Sequence, residues 1–252
     1  MKINTQRGFD FGINVKDVVV PDMLRRRVPS GIDYLDGVFG GDGLTPSSVT
    51  MFTGTPGAGK TTMMLTLANG LVGRGAEVVF NTCEESLYQV KMHTERLGLK
   101  NGFKLGETQH VPTLLEQCDK LREAAPTKPF VLIVDSLQTV NDGFYKDGGT
   151  NSMTAVRSLE MVTNWCKQHN TIGIVIGQVG KDGKFMGKNS LKHMVDAQLE
   201  LSIDLKQKSP TFGLRQLGMS KNRFGGGSQQ YWLQLEKAGF SVAAIEGGDD
   251  DE

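Results

Sequence analysis

Short continuous apolar runs alternate along this chain with stretches in which apolar residues recur every third and fourth position. Val49 to Phe52 is such a run, and it leads into a glycine loop, Gly54 to Gly59. Met64, Leu67, Ala68 and Leu71 then keep the i, i+3, i+4, i+7 spacing of a helix that buries one face. Gly73 and Gly75 end it. Glu77 to Thr82, with Val78, Val79 and Phe80, predicts the next strand. Ser86 to Leu97 predicts a helix with Ser86 as its N-cap, and Pro112 to Ala124 another, opened by proline. Phe130 to Val134 is apolar throughout, as strands covered on both faces are. A long helix, Asn151 to His169, leads to a second buried strand, Thr171 to Val179. Strands alternating with helices predict a mostly parallel sheet between two helical layers. From about residue 197 the helical spacing stops. Gln198 to Leu205, Phe212 to Ser220 and Tyr231 to Val242 read as successive strands, which predicts an antiparallel C-terminal edge.

The chain has 252 residues, enough for one large α/β domain or two small ones. The pattern divides it into an N-terminal arm over 1–27, a main domain over 28–245 and an acidic tail over 246–252. The arm holds isolated apolar residues (Phe9, Phe11, Ile13, Val18 to Val20) and ends in Arg25, Arg26 and Arg27. It reads equally as a loosely docked terminus or as a segment that packs on a neighbouring subunit. Lys and Arg number 28, as do Asp and Glu, so the formal net charge is +0. That excludes a wholly basic surface, and contact with nucleic acid must come from a local patch. Cys83, Cys118 and Cys166 show no metal-ligand spacing and are expected to be reduced thiols. The chain has no signal-peptide run and no membrane-spanning stretch, so a cytoplasmic location is expected.

The strongest chemical signal is Gly54-Thr55-Pro56-Gly57-Ala58-Gly59-Lys60-Thr61, a complete G-x-x-x-x-G-K-[ST] loop followed by Thr62. Such a loop wraps phosphates with backbone N–H groups, its lysine reaches the β- and γ-phosphates, and its threonine hydroxyl ligates Mg2+. The helix that follows turns its positive end to the same anion. Lying between a strand and a helix, the loop predicts MgATP binding by Gly54 through Thr62. Asp135 ends the apolar strand before it, at a carboxyl end where ligands bind, and there it can hold Mg2+ through its water shell. Glu84 and Glu85 follow a neighbouring strand. On extended backbone adjacent side chains point apart, so one of them, Glu84, is expected to polarise the attacking water. Glu85 is expected to serve the helix start. Gln178 closes a third strand, where an amide can bond the γ-phosphate; taken alone, a structural amide is the simpler reading.

Together these residues resemble the RecA superfamily, and within it the RadA/Sms family, over roughly residues 28–242. The resemblance rests on Val28-Pro29-Ser30-Gly31-Ile32-Asp33-Tyr34-Leu35-Asp36, Glu84-Glu85-Ser86, Val134-Asp135-Ser136-Leu137-Gln138-Thr139, His193-Met194-Val195-Asp196 and, most specifically, Lys221-Asn222-Arg223-Phe224-Gly225. It implies a RecA-like ATPase domain over 28–245. It also implies ATP at a subunit boundary completed by a neighbour's Lys221 and Arg223, a hexameric ring or filament, and movement on single-stranded DNA with helicase activity in recombination and repair. Positive side chains suit the charge that develops on a γ-phosphate. Channel-facing loops contact DNA in that family, and Gly180 to His193 is the matching candidate. It carries Lys181, Lys184, Lys188 and Lys192 against one acid, Asp182, and Phe185 can stack on a base. Asp142 to Asn151 is a second loop of this kind with one lysine, Lys146. Set against full-length members, the chain is expected to be a short form without the amino-terminal four-cysteine zinc module and the Lon-protease-like domain. Three readings follow: a DNA-stimulated ATPase that moves on or remodels DNA, a nucleotide-switched recombination mediator or loader with little turnover, and a KaiC-like signalling ATPase with protein partners.

Overall fold

A computed structural model describes residues 11–145, 148–151, 153–178, 190–225 and 229–244. A 3-10 turn, Val15–Asp17, and two short helices, α1 (Asp22–Arg25) and α2 (Asp33–Val38), come first. The main alternation follows: β1 (Ser48–Gly54), α3 (Lys60–Gly73), β2 (Glu77–Thr82), α4 (Leu87–Arg96), β3 (Lys104–Gly106), α5 (Val111–Ala124), β4 (Phe130–Asp135), α6 (Thr154–His169) and β5 (Ile172–Gln178). The chain closes with α7 (Ser190–Met194), β6 (Ala197–Ile203), β7 (Arg215–Asn222), β8 (Tyr231–Glu236) and β9 (Gly239–Val242).

Among the described residues nine strands form one sheet in the order β3-β2-β4-β5-β1-β6-β7-β8-β9. Strands β1 to β6 run parallel, and β6 to β9 pair antiparallel. The expected antiparallel edge is present, with two differences. β6 pairs parallel with β1 on one side and antiparallel with β7 on the other, so it is the hinge of the mixed sheet and not part of the edge. The single strand expected over Tyr231 to Val242 is a hairpin, β8 and β9, reversing before Gly239, whose φ is 116°. β3 was not legible because three residues at a sheet edge carry no period. The very short α1 and α7 carry none either.

Alternating residues on each strand feed two cores, as the pleat requires. Phe52, Val78, Phe80, Val131, Ile133 and Ile174 pack with α2, α3 and α4. Met51, Val79, Leu132, Val134 and Val175 pack with α5, α6 and α7. Ser86 caps α4 as expected, its hydroxyl accepting from Gln89 N at 3.3 Å while the Gln89 side chain accepts from Ser86 N at 2.8 Å. The Ser30 to Asp36 segment also gains a local cause. The Asp36 carboxylate takes the N–H groups of Ser30 (2.7 Å) and Gly31 (2.8 Å) and fixes the turn ahead of α2. Among the described residues no helix is long and apolar enough to cross a membrane.

Candidate functional site

The register brings the functional side chains to one end of the sheet. Gly54 pairs with Gln178 across β1 and β5, and Thr82 pairs with Asp135 across β2 and β4. The carboxyl ends of four parallel strands therefore open on one cavity of about 610 Å3. Pro56, Gly57, Gly59, Lys60, Thr61, Thr62, Glu84, Asp135 and Gln178 all line it. Ala58 is buried beneath it. The loop needs its glycines. Gly59 has φ 102°, and a Cβ there would lie 2.8 Å from the Phe240 ring and 3.0 Å from Leu235. A Cβ on Gly54 would lie 2.2 Å from the Leu201 carbonyl oxygen.

Lys60 Nζ donates to the carbonyls of Gly54 (2.9 Å) and Thr55 (3.2 Å). Burial lowers its pKa, opposed by the charges of Asp135 and Glu84. The Thr61 hydroxyl donates to Asp135 Oδ2 at 2.9 Å, so two oxygen donors already meet where an oxygen-seeking divalent ion would be held. Glu84 Oε1 accepts from the Ser136 hydroxyl and from Gln178 Nε2 at 2.8 Å. Gln178 N in turn donates to Gln138 Oε1 at 3.2 Å.

The expectation that only one of the adjacent glutamates faces the site needs correcting. Both line the cavity. The chain is not extended there: Thr82 Oγ1 accepts from Glu85 N (3.1 Å) and donates to Glu85 O (3.0 Å), and this tight turn carries both carboxylates inward. Glu85 also pairs with His93 Nδ1 at 3.2 Å. His93, Ile176 and Leu235 complete the lining and escaped the sequence reading. His93 lies two turns along α4 from Glu85, and Leu235 arrives from a hairpin far down the chain, so neither has a local signal.

Burial pushes the Asp135 carboxyl up to about 6, with Glu84 and Glu85 adding to the push and Thr61 and Lys60 opposing it. A folded-state pKa above the unfolded value, near 4, costs stability that sets in as pH rises past about 4 and is complete above about 6. Asp135→Asn removes that cost. Its stability relative to the parent is expected to rise between pH 4 and pH 7.5 by up to about 3 kcal/mol, read from urea unfolding. A difference that stays constant with pH would contradict the burial argument.

Lys221 and Arg223 lie at the other end of the sheet. Lys221 pairs in register with Gln198 and Asn222 with Ala197, and Ala197 pairs with Thr50 near the start of β1. From Thr50 to Gly54 at about 3.3 Å per residue, this end lies roughly 13 Å along β1 from its own glycine loop and two strands to the side. Lys221 Nζ donates to the carbonyls of Lys192 (2.8 Å) and Val195 (2.7 Å). Its pKa is lowered by burial and by the nearby Arg223 charge. Arg223 donates to His193 O (3.3 Å) and approaches Asp196 Oδ1 (3.5 Å). Lys192 is exposed on α7. Lys181, Lys184, Phe185 and Lys188 lie outside the described residues, as do Lys146 and Asp182.

A protein-family model described as ATPase, KaiC matches residues 28–103. The DNA repair protein RadA of Mycobacterium tuberculosis (strain CDC 1551 / Oshkosh) is 34% identical over 204 residues, 79% of this chain and 40% of that protein. RadA of Mycolicibacterium smegmatis is 32% identical over 233 residues, 89% of this chain and 47% of that protein. Among solved structures, the ATPase domain of G40P aligns with a TM-score of 0.73 at 14% identity, covering 88% of this chain and 93% of that one. A KaiC-like protein from Pyrococcus horikoshii OT3 aligns with a TM-score of 0.69 at 18% identity, covering 87% and 99%. The chain is homologous to RadA over most of its length and has the fold of the RecA-like ATPases. It spans less than half the length of the RadA proteins it matches.

Within the RecA-like frame the two ends of the sheet are linked by one segment. Gln178 ends β5 beside the cavity, and α7 begins at Ser190 on the way to β6 at the far end. The carbonyls of Lys192 and His193 in α7 accept from Lys221 and Arg223. Sequence spacing gave no hint of those bonds.

Proposed function

We propose that this RadA homologue is a magnesium-dependent ATPase whose active sites form between copies and whose turnover responds to single-stranded DNA. The observation that carries the reading is the convergence of Lys60, Thr61, Asp135 and Glu84 on one cavity at the carboxyl ends of β1, β2 and β4. The backbone of Gly54 to Gly59 and the N-terminus of α3 would cradle the phosphates, and Thr61 with Asp135 would hold Mg2+. When bound, the ion supplies charge neutralisation at the β- and γ-phosphates. Lys60 leaves its loop carbonyls to meet the γ-phosphate. Glu84 accepts a proton from the attacking water, and the Ser136 and Gln178 bonds fix its carboxylate for that task.

Lys221 and Arg223 are too far from their own glycine loop to act on it, which supports action on a neighbour's in a ring or filament. Gln178 would report γ-phosphate loss to the loop carrying Lys181, Lys184, Phe185 and Lys188, with Lys192 beyond it. Those residues would grip the phosphates and one base of the strand. The relatives are named as DNA repair proteins, which favours a motor or remodeller in bacterial cytoplasm.

Steady-state ATP hydrolysis measured with and without single-stranded DNA tests the reading. Stimulation that Lys184→Glu with Lys188→Glu abolishes supports it. Hydrolysis indifferent to DNA and to those substitutions sinks the DNA coupling and favours a KaiC-like signalling ATPase, the class named by the matching family model. Mixing Arg223→Ala with Lys60→Ala protein is expected to restore activity at hybrid sites. If no mixing ratio does, the neighbour-supplied cation is wrong.

A further inference from the structure

The core beneath α5, α6 and α7 draws on no strand beyond β1. On β6, β7 and β8 the residues that face α2 and α3, among them Leu199, Leu201, Leu217 and Leu233, are buried. The alternate residues face the other way, and neither apolar core includes them. Ser202, Gln216 and Trp232 stand side by side on that outward face, because Ser202 pairs with Gln216 and Gln216 with Trp232. A cavity of about 380 Å3 opens over this row. The loop over 204–214 walls it with Lys206, Ser209 and Thr211. That loop is built and braced. Asp204 accepts from the Thr211 hydroxyl at 2.6 Å and from Lys206 N at 2.9 Å, and its carbonyl accepts from Gly213 N at 2.8 Å. Lys206 and Lys208 are exposed on it.

The C-terminal segment sets out from the same row. β9 pairs with β8, and Ala243 N donates to the Trp232 carbonyl at 2.8 Å. Ala243 therefore takes the next place across the sheet after Ser202, Gln216 and Trp232, about 14 Å from Ser202 at the usual strand spacing. Residues 245–252 come next in the sequence and lie outside the described residues. They open with Ile245 and carry Glu246, Asp249, Asp250, Asp251 and Glu252, with Gly247 and Gly248 between. A segment of that length spans at most about 28 Å, enough to cross the row and bring its acids to Lys206 and Lys208. The cavity suits such an occupant. It offers an ammonium, hydroxyls and an indole N–H, all donors to carboxylates, and the Trp232 ring gives Ile245 an apolar wall.

We propose that residues 245–252 fold back over the Ser202–Gln216–Trp232 row of their own chain, with Ile245 on the Trp232 ring and the aspartates against Lys206 and Lys208. The row adjoins the nucleotide cavity. Gly54 pairs with Leu201, and Thr55 N donates to the Leu201 carbonyl at 3.2 Å. The docked segment thus braces the strand on which the glycine loop leans. The inference uses neither the neighbour-supplied cations nor the DNA coupling proposed above.

Tryptophan fluorescence reads the docking. The chain has two tryptophans, and Trp165 is buried, so quenching by acrylamide reports Trp232. A chain stopped after Ala244 is expected to be quenched more strongly than the parent, and Trp232→Phe should erase that difference. Lys206→Glu with Lys208→Glu should uncover the indole in the same way, the ratio of docked to free segment falling about fivefold as two surface ion pairs are lost. Adding Asp249→Lys, Asp250→Lys and Asp251→Lys to that variant exchanges the charges and should restore the protection. The exchanged chain is full length, so its result holds whether or not the stopped chain folds. Equal quenching of the parent and the stopped chain overturns the docking, as does a charge exchange that restores nothing. Protection lost on dilution in step with particle mass, read by light scattering, also overturns it, since the segment would then lie on another copy.

Discussion

Lys60→Ala is expected to lower steady-state ATP hydrolysis at least about 100-fold, the usual cost of deleting one group that stabilises charge developing in a transition state. The reason is local. The Lys60 ammonium lies between the carbonyls of Gly54 and Thr55 at the mouth of the loop. Burial disfavours its charge and the acids Asp135 and Glu84 favour it. A cation so placed, partly stripped of water, interacts with a triphosphate far more strongly than an exposed lysine would. Lys60→Arg is not a rescue, because a planar fork on a longer reach cannot meet the same two carbonyls and then the phosphate as a point charge does. Phosphate-release assays measure the loss, and thermal melts show that the chain still folds. Substantial turnover by the alanine variant would mean that this loop is not where ATP is hydrolysed.

Asp196→Ala should be among the most destabilising single substitutions in the chain. Asp196 is buried, and its Oδ2 takes the Lys167 ammonium at 2.6 Å and the Val49 N–H at 2.9 Å. Its Oδ1 faces Arg223, and its backbone carbonyl accepts from Arg223 N at 3.0 Å. One carboxylate thus ties α6, the start of β1, the start of β6 and the basic turn after β7. Truncation leaves a largely buried ammonium without this partner, which costs about 3–5 kcal/mol. In a domain of this size that is about 10 °C of melting temperature. Asp196→Asn keeps an acceptor for Val49 N and loses the charge opposite Lys167, so it should fall between the two. If Asp196→Ala melts with the parent, the cluster is not what holds these elements. The same result bears on function, since Asp196 sets the backbone from which Arg223 projects.

His193 to Asp196 and Ser30 to Asp36 entered as family segments with no chemistry of their own. The structure assigns both to architecture: Asp196 as a junction of charges, Asp36 as a cap on the N–H groups of Ser30 and Gly31. Neither role is readable from spacing, because each depends on a partner whose position is fixed by the folded backbone.

The sequence alone determined what is local in the chain. The strand–loop–helix around Lys60, the capped start of α4, the buried β4 ending in Asp135 and the alternation that makes a parallel sheet all follow from side-chain period and turn chemistry within a few residues. It also marked Glu84 and Gln178 as strand-end groups. Tertiary structure decided everything that depends on which strands are neighbours. It joined Glu84 to Ser136 and Gln178, turned Glu85 inward against His93, and brought Leu235 and Phe240 over the glycine loop. It divided the acids and Lys60 from Lys221 and Arg223 by the length of β1. Hydrophobic periodicity records which face of an element is covered, not which element covers it, so the order β3-β2-β4-β5-β1-β6 could be set only by packing in three dimensions.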